Sequence, residues 1–203
     1  MIRLNKIYTR TGDDGSTALG DGQRRKKSDP RVVAFGSIDE TNSAIGAARL
    51  ATTGSTNQDL AAIDRVLARA QNDLFDLGAD LSVPEARKIE NKKKARPPLR
   101  IAMSQVAALE RAIDELNADL APLRSFVLPG GGPAAAALHV ARAICRRAER
   151  DMVALADIED ETVGKAALAY VNRLSDYLFV AARFANARGK SDVLWVPGAN
   201  QDG

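Results

Sequence analysis

Residues 133–155 read PAAAALHVARAICRRAERDMVAL, and the fold turns on how this stretch is interpreted. Leu138, Ala141, Cys145, Ala148 and Met152 recur every three or four residues, which is the spacing of one helical face. The run is too long for a strand and too rich in arginine for a membrane span. Pro133 follows three glycines and suits the first helical position, and alanine, the best helix former, fills much of the rest. At ~100° per residue, Arg142, Arg146, Glu149 and Arg150 fall on a second stripe about 100° wide, with His139 on it too. Arg147 and Asp151 point the other way.

The same period continues on both sides. Asp29 is a good N-cap, Pro30 sits at the first helical position, and Val32, Phe35, Ile38, Asn42, Ile45 and Ala48 carry a helix that ends by Gly54. A second helix is expected over 58–77, with Leu60, Ile63, Leu67, Ala70, Leu74 and Leu77 inward. After a break over 78–98, a third is expected over 99–120, with Val106, Leu109, Ile113 and Leu116 inward. A fifth helix is expected over 161–188, capped by Gly189. Residues 189–203 either fold back through Val193, Leu194 and Trp195 or fray. The first thirty residues are polar and glycine-spaced, with no helical period. The expectation is therefore an all-α chain and a single-domain five-helix bundle over 31–188, with an N-terminal arm over 1–30 and a tail over 189–203.

Composition narrows the function. The chain has 203 residues, of which 45% are hydrophobic and 27% charged, so it is an ordinary globular sequence. Aromatics make up 4%, which disfavours sandwiches and barrels. One Cys and one His exclude an internal disulfide, a Cys/His zinc cluster and a di-iron site built on paired Glu-x-x-His motifs. A net charge of +3 suits an anionic ligand and is too weak to argue for nucleic acid. No apolar run reaches the ~20 residues of a membrane span, and MIRLNKIYTRT lacks the apolar core of a signal peptide, so a cytoplasmic location is expected. The basic run at 92–94, with Arg87, Lys88, Arg96 and Arg100, lacks interleaved aromatics and reads as a solvated loop.

Three segments carry candidate chemistry. TRTGDDGSTALGDG (9–22) has the Gly, Thr and Ser spacing that lets N–H groups and hydroxyls converge on an anion; its alternative is a pair of Gly/Asp turns. It is not a Walker A loop, because no Gly-Lys-Ser/Thr follows. Lys27 would add a point charge there. The arginine stripe on 142–150 repels itself unless an anion sits against it, and arginine forks match phosphate or carboxylate oxygens; its alternative is a solvated face with local Glu–Arg pairing. The turn FVLPGGGP (126–133) is either a connector or a place where backbone approaches a ligand beside Phe126 and Leu128. Asp39 beside Phe35 and Asn42, and Asn172, Asp176 and Arg183 beside Phe179, suggest a polar seam along the bundle or an interface.

TRTGDDGST, RRKKSD, FGSIDETNSAIG, FVLPGGG, RAICRRAER and VNRLSDYLF, in this order from about residue 6 to 188, resemble the PduO-type ATP:cob(I)alamin adenosyltransferases. The resemblance implies a five-helix bundle assembled as a homotrimer with intersubunit sites. It also implies transfer of the 5′-deoxyadenosyl group of ATP to the cobalt of a reduced corrinoid, with release of inorganic triphosphate. On that basis Thr9, Arg10, Thr11, Gly12, Thr17, Ala18 and Lys27 would bind ATP. So would Arg146, Arg147, Ala148, Glu149, Arg150 and Asn172, with Arg146 on the triphosphate. Asp39 and Arg142 would form an intersubunit pair, and Phe126 would pack on the corrinoid. Mg²⁺ would accompany the phosphates, and a reductase and a cobalamin-dependent enzyme would be partners. Three positions depart from the usual pattern: Arg10 stands where lysine is common, Ala18 where a hydroxyl is frequent, and Thr41 where leucine is usual.

Overall fold

A computed structural model describes residues 7–84 and 99–201. The basic run of 87–96 lies outside the described residues. A short hairpin, β1 (Ser16–Ala18) and β2 (Arg24–Lys26), precedes the helices α1 (Pro30–Arg49), α2 (Gln58–Leu81), α3 (Met103–Asn117), α4 (Pro133–Ala156) and α5 (Lys165–Ala185). α4 packs against α1 on one side and α5 on the other. α2 flanks α1 and α3 flanks α5, and α2 also reaches α5 and α3, which closes the bundle. None of the described helices is long and apolar enough to cross a membrane.

The apolar stripes read from the sequence are the core. Ile38, Ile45, Ile63, Leu67, Leu74, Leu77, Leu138, Met152 and Leu155 are all fully buried. Each such side chain contributes roughly 1.5–3 kcal/mol relative to leaving it in water. One buried carboxylate is satisfied within this core. Asp73 accepts from the Tyr170 hydroxyl at 3.0 Å and from Gln105 Nε2 at 2.8 Å, which stitches α2, α5 and α3 together. Burial, then the Asp73 charge, pushes the Tyr170 phenol above its usual range, so it stays a donor.

Helix limits differ from the periodicity where local geometry overrides it. α1 stops at Arg49, and the chain turns through 50–54 before Gly54 takes φ +69°. α2 continues a full turn beyond residue 77, because Asp80 and Leu81 are themselves buried and Asp80 accepts the Ile101 N–H at 3.0 Å. α3 is shorter at both ends, since Ala102 is extended and its N–H is capped by Gln105 Oε1. α5 begins only after Gly164 and ends at Ala185, because Ala187 and Arg188 take left-handed φ of 52° and 54°. Gly189 still closes this end, its N–H donating to the Arg183 carbonyl at 2.8 Å. The tail folds back: Leu128 N–H donates to Val193 O and Trp195 N–H to Phe126 O.

The hairpin is the one element without a hydrophobic signature. Its residues STA and RRK pair in the register Ser16↔Lys26, Thr17↔Arg25, Ala18↔Arg24, held by backbone bonds. It is tied to the bundle electrostatically. Arg25 bonds the α1 N-cap Asp29 at 3.0 Å and reaches Glu161 at 3.3 Å. Arg31, 1% exposed, donates through Nε to Glu161 at 2.9 Å and through Nη1 to the Leu81 carbonyl at 2.7 Å. The hairpin, α1, the end of α2 and the α4–α5 loop thus share one ion cluster.

A second cluster predicts the acid limb of stability. Arg49, then Thr52 and Thr53, bond Asp64 and hold its carboxyl at about 2. A carboxyl lowered on folding contributes stability that is present above its unfolded value and lost as pH falls through the folded one. The Asp64 contribution should therefore disappear between about pH 4 and pH 2. Asp64→Asn should be less stable than wild type at neutral pH, with the gap closing across that window in urea titrations. A gap constant with pH would contradict this.

Candidate functional site

The arm builds a tight turn around Gly12. Gly15 N–H donates to the Gly12 carbonyl, Arg10 takes φ +62°, and the Thr9 and Thr11 hydroxyls lie 2.9 Å apart. A Cβ on Gly12 would stand 3.0 Å from Ser16 O and 3.4 Å from Lys27 Nζ, so any larger residue would have to push the turn or that ammonium aside by a few tenths of an ångström. Thr9 and Thr11 thus pair with each other, Gly12 lies beside Lys27, and the Arg10 guanidinium lies over the Tyr8 ring. Thr17 and Ala18 follow in β1, where Ala18 faces solvent. Arg24, absent from the sequence assignment, braces the turn: its Nη2 donates to the Thr11 carbonyl at 2.6 Å and to Ser16 Oγ. Its signal was the basic RRKK run following an Asp-Asp turn.

The stripe on α4 is arranged as the helical arithmetic requires, and α5 adds to it. Asn172 Nδ2 donates to Glu149 Oε1 at 2.8 Å, and Arg150 Nη1 to the Arg146 carbonyl at 3.0 Å. Among the described residues no carboxylate pairs with Arg142 or Arg146. Arg142 Nε is buried without a partner, and burial, then Arg146, holds the Arg142 guanidinium below its ordinary range. Two neighbouring cations left in this state form a candidate anion site. The 146–150 segment does not act as a block, however. Arg147 turns to α1 and pairs with Glu40, beside the Ser37–Asp151 bond of 2.5 Å. Ala148 is fully buried in the core. Within this chain these two side chains point away from the stripe, because successive helical residues lie ~100° apart.

Phe126, 76% exposed, stands at a cleft that Leu123, Ser125, Val127, Phe179 and Arg142 also line. The stripe therefore runs up to an aromatic wall. His139 lies beneath, edge-on to Phe179 at 6.2 Å, with both ring nitrogens lacking partners. Burial, then Arg142, lowers its pKa, so it is a neutral packing residue. Burial pushes the Cys145 thiol up to about 12, which removes it as a nucleophile.

Asp39 is elsewhere. It lies exposed in a groove between α1 and α2 with Phe35, Asn42, Leu74 and Phe75, away from the Arg142 cleft. The arm likewise spends its bonds on Asp29, Glu161 and the Ser82 carbonyl rather than on the α4 stripe. The supposed seam on α5 also divides. Asp176 pairs with Arg173 at the surface, whereas Arg183 is buried against Asp192 of the tail at 2.8 Å. Among the described residues no three His, Cys, Asp or Glu side chains converge to hold a metal ion.

The sequence pattern of the cobalamin adenosyltransferase family matches residues 7–185. The chain is 52% identical over 200 residues to a corrinoid adenosyltransferase of Mycobacterium tuberculosis, spanning 98% of this chain and 97% of that one. It is 43% identical over 190 residues to a corrinoid adenosyltransferase of Bacillus subtilis, spanning 93% and 91%. Its fold superposes with a TM-score of 0.79, at 37% identity, on a Phe-to-Ala variant of a PduO-type ATP:corrinoid adenosyltransferase from Lactobacillus reuteri complexed with cobalamin and ATP. That match spans 94% of this chain and 99% of the other. An Arg-to-Lys variant of the same enzyme, complexed with ATP, superposes equally well at 36% identity. Likeness of sequence and fold along almost the entire length leaves one assignment: the chain belongs to the cobalamin adenosyltransferase family.

Proposed function

We propose that the chain transfers the 5′-deoxyadenosyl group of ATP to the cobalt of a reduced corrinoid and releases inorganic triphosphate. The observation that carries this reading is the unpaired Arg142–Arg146 stripe running into the cleft of Phe126 and Phe179. It sets an anion-binding surface beside an apolar wall, and the two substrates need those two surfaces in contact.

The chemistry asks little of side-chain bases. Cobalt(I) attacks the C5′ carbon with its own electron pair, the C5′–O bond breaks, and triphosphate leaves with the bonding electrons. Cobalt becomes formally Co(III). The protein must hold C5′ in line, neutralise the leaving group and keep water out. Arg146 and Arg150 bind the triphosphate, while Asn172 orients Glu149 at its flank. The Gly12 turn, with Thr9, Arg10, Thr11 and Thr17, the Ala18 backbone and Lys27, wraps the nucleotide. Phe126 packs on the corrinoid. Mg²⁺ belongs to the substrate as MgATP, held by phosphate oxygens.

The assembly we propose is a homotrimer whose sites lie between subunits. Asp39 and Arg142 occupy different grooves of one chain, as do the arm and the stripe, and pairing between neighbours would complete both. The enzyme would work in the cytoplasm, with a reductase supplying Co(I) and a cobalamin-dependent enzyme taking the product.

The test is an anaerobic assay with chemically reduced cobalamin and MgATP, with products separated by chromatography. Light-sensitive adenosylcobalamin formed in step with triphosphate is the expected result. ADP and phosphate without alkylated cobalamin would overturn it. In the same assay Phe126→Ala should lower kcat/KM for the corrinoid by at least about tenfold while the KM for ATP stays within about twofold. The reverse balance would move Phe126 into the nucleotide site.

A further inference from the structure

We propose that Trp195 is a positioning residue for Phe126, and that the tail over 191–196 is a strap that sets the aromatic wall of the corrinoid cleft. This rests on the reading of Phe126 given above. Phe126 lies in the 118–132 connection, outside every helix, yet its backbone is clamped. Trp195 N–H donates to the Phe126 carbonyl at 2.8 Å, Ser125 Oγ donates to the Trp195 carbonyl at 2.7 Å, and Leu128 N–H donates to the Val193 carbonyl at 2.7 Å. Val127 and Leu194 pair as an antiparallel bridge between these bonds. The rings of Phe126 and Trp195 sit 5.9 Å apart at 60°, a tilted aromatic contact.

The strap is itself held down. Asp192, at its root, bonds the buried Arg183 at 2.8 Å and the Asn186 amide at 3.4 Å. Asn186 also accepts from Gly132 N–H at 3.0 Å, under the turn that leads from Phe126 into α4. Gly131, at φ +99°, leaves the space that the Asn186 amide fills. The two strands are thus pinned at one end by a buried polar knot and joined at the other by the aromatic pair. Because Phe126 is exposed, nothing in the bundle core fixes its ring. Its tilted contact with Trp195 is the one aromatic contact of that ring among the described residues.

The test is a double-mutant cycle on the full-length enzyme with Phe126→Ala, Trp195→Ala and both together, plus Trp195→Phe. Trp195→Ala should lower kcat/KM for reduced cobalamin by about tenfold, with the ATP KM little changed, a part of the ~100-fold that a full ~1 Å misplacement can cost. Trp195→Phe should recover most of the loss. The double variant should be no slower than Phe126→Ala, since the tryptophan acts through the phenylalanine. Trp195 is the chain's one tryptophan, so a shift in intrinsic fluorescence in Phe126→Ala reports the contact independently of turnover. Additive losses would make Trp195 a direct corrinoid contact and overturn the proposal. A silent Trp195→Ala beside an impaired Phe126→Ala would overturn it alone, as would equal losses toward ATP and corrinoid. A silent Phe126→Ala would instead remove the reading of the cleft on which it rests.

Discussion

Arg146→Ala should lower kcat/KM for ATP by about two to three orders of magnitude, the loss typical when one preorganised donor to a developing anion is removed. The triphosphate carries its charge away as the C5′–O bond breaks, so a fork that meets those oxygens acts most strongly in the transition state. The side chain is free to do this. Among the described residues it has no carboxylate partner, and its neighbour Arg142 already suffers from its proximity. Arg146 is exposed in the single chain, so its removal should leave folding within about 0.5 kcal/mol. Arg146→Lys, which keeps the charge without the fork, should fall between the two. Steady-state kinetics beside a sedimentation profile would check both halves. Wild-type turnover in the alanine variant would end the role assigned to the stripe.

Glu161→Ala should cost folding about 3–5 kcal/mol, because it strands a buried cation. Arg31 is 1% exposed and takes two of its bonds from Glu161; without them only the Leu81 and Thr162 carbonyls face its charge. For a chain of this size each kcal/mol shifts the thermal midpoint by about 2–4 °C, so a drop of roughly 10 °C is expected. Pairing the change with Arg31→Met should return most of it, since an apolar pair needs no desolvation of charge. Arg25 loses a partner too, so the arm loosens and the KM for ATP should rise even below the melting range. A midpoint within about 2 °C of wild type would show that the cluster contributes little.

The helices were legible because each buries a stripe that repeats at 3.6 residues, and most of the apolar residues read for α1, α2, α3 and α4 lie on the buried faces observed. The hairpin was not, because STA and RRK bury almost nothing and owe their pairing to backbone groups that every residue carries. The end of α5 was overrun for a related reason: a left-handed Ala187 and Arg188 are set by the Asn186 and Gly189 bonds, which no propensity encodes. Within the site, angular arithmetic on a single helix placed Arg142, Arg146, Glu149 and Arg150 together. It could not reveal that Arg147 meets Glu40, still less that Arg31 finds Glu161 across 130 positions. Contacts within one helix follow from spacing; contacts between helices follow from topology.

The packing of the helices bears on how the molecule fluctuates. α4 packs against both α1 and α5 and buries nine of its residues, whereas α3 packs mainly against α5 and buries three. Local opening begins where few apolar contacts must be broken, so backbone amide exchange on α3 should proceed through smaller and more frequent openings than exchange on α4. The guanidinium groups are thus mounted on a helix packed on two sides, and α3 can open locally while the spacing of those cations stays constant.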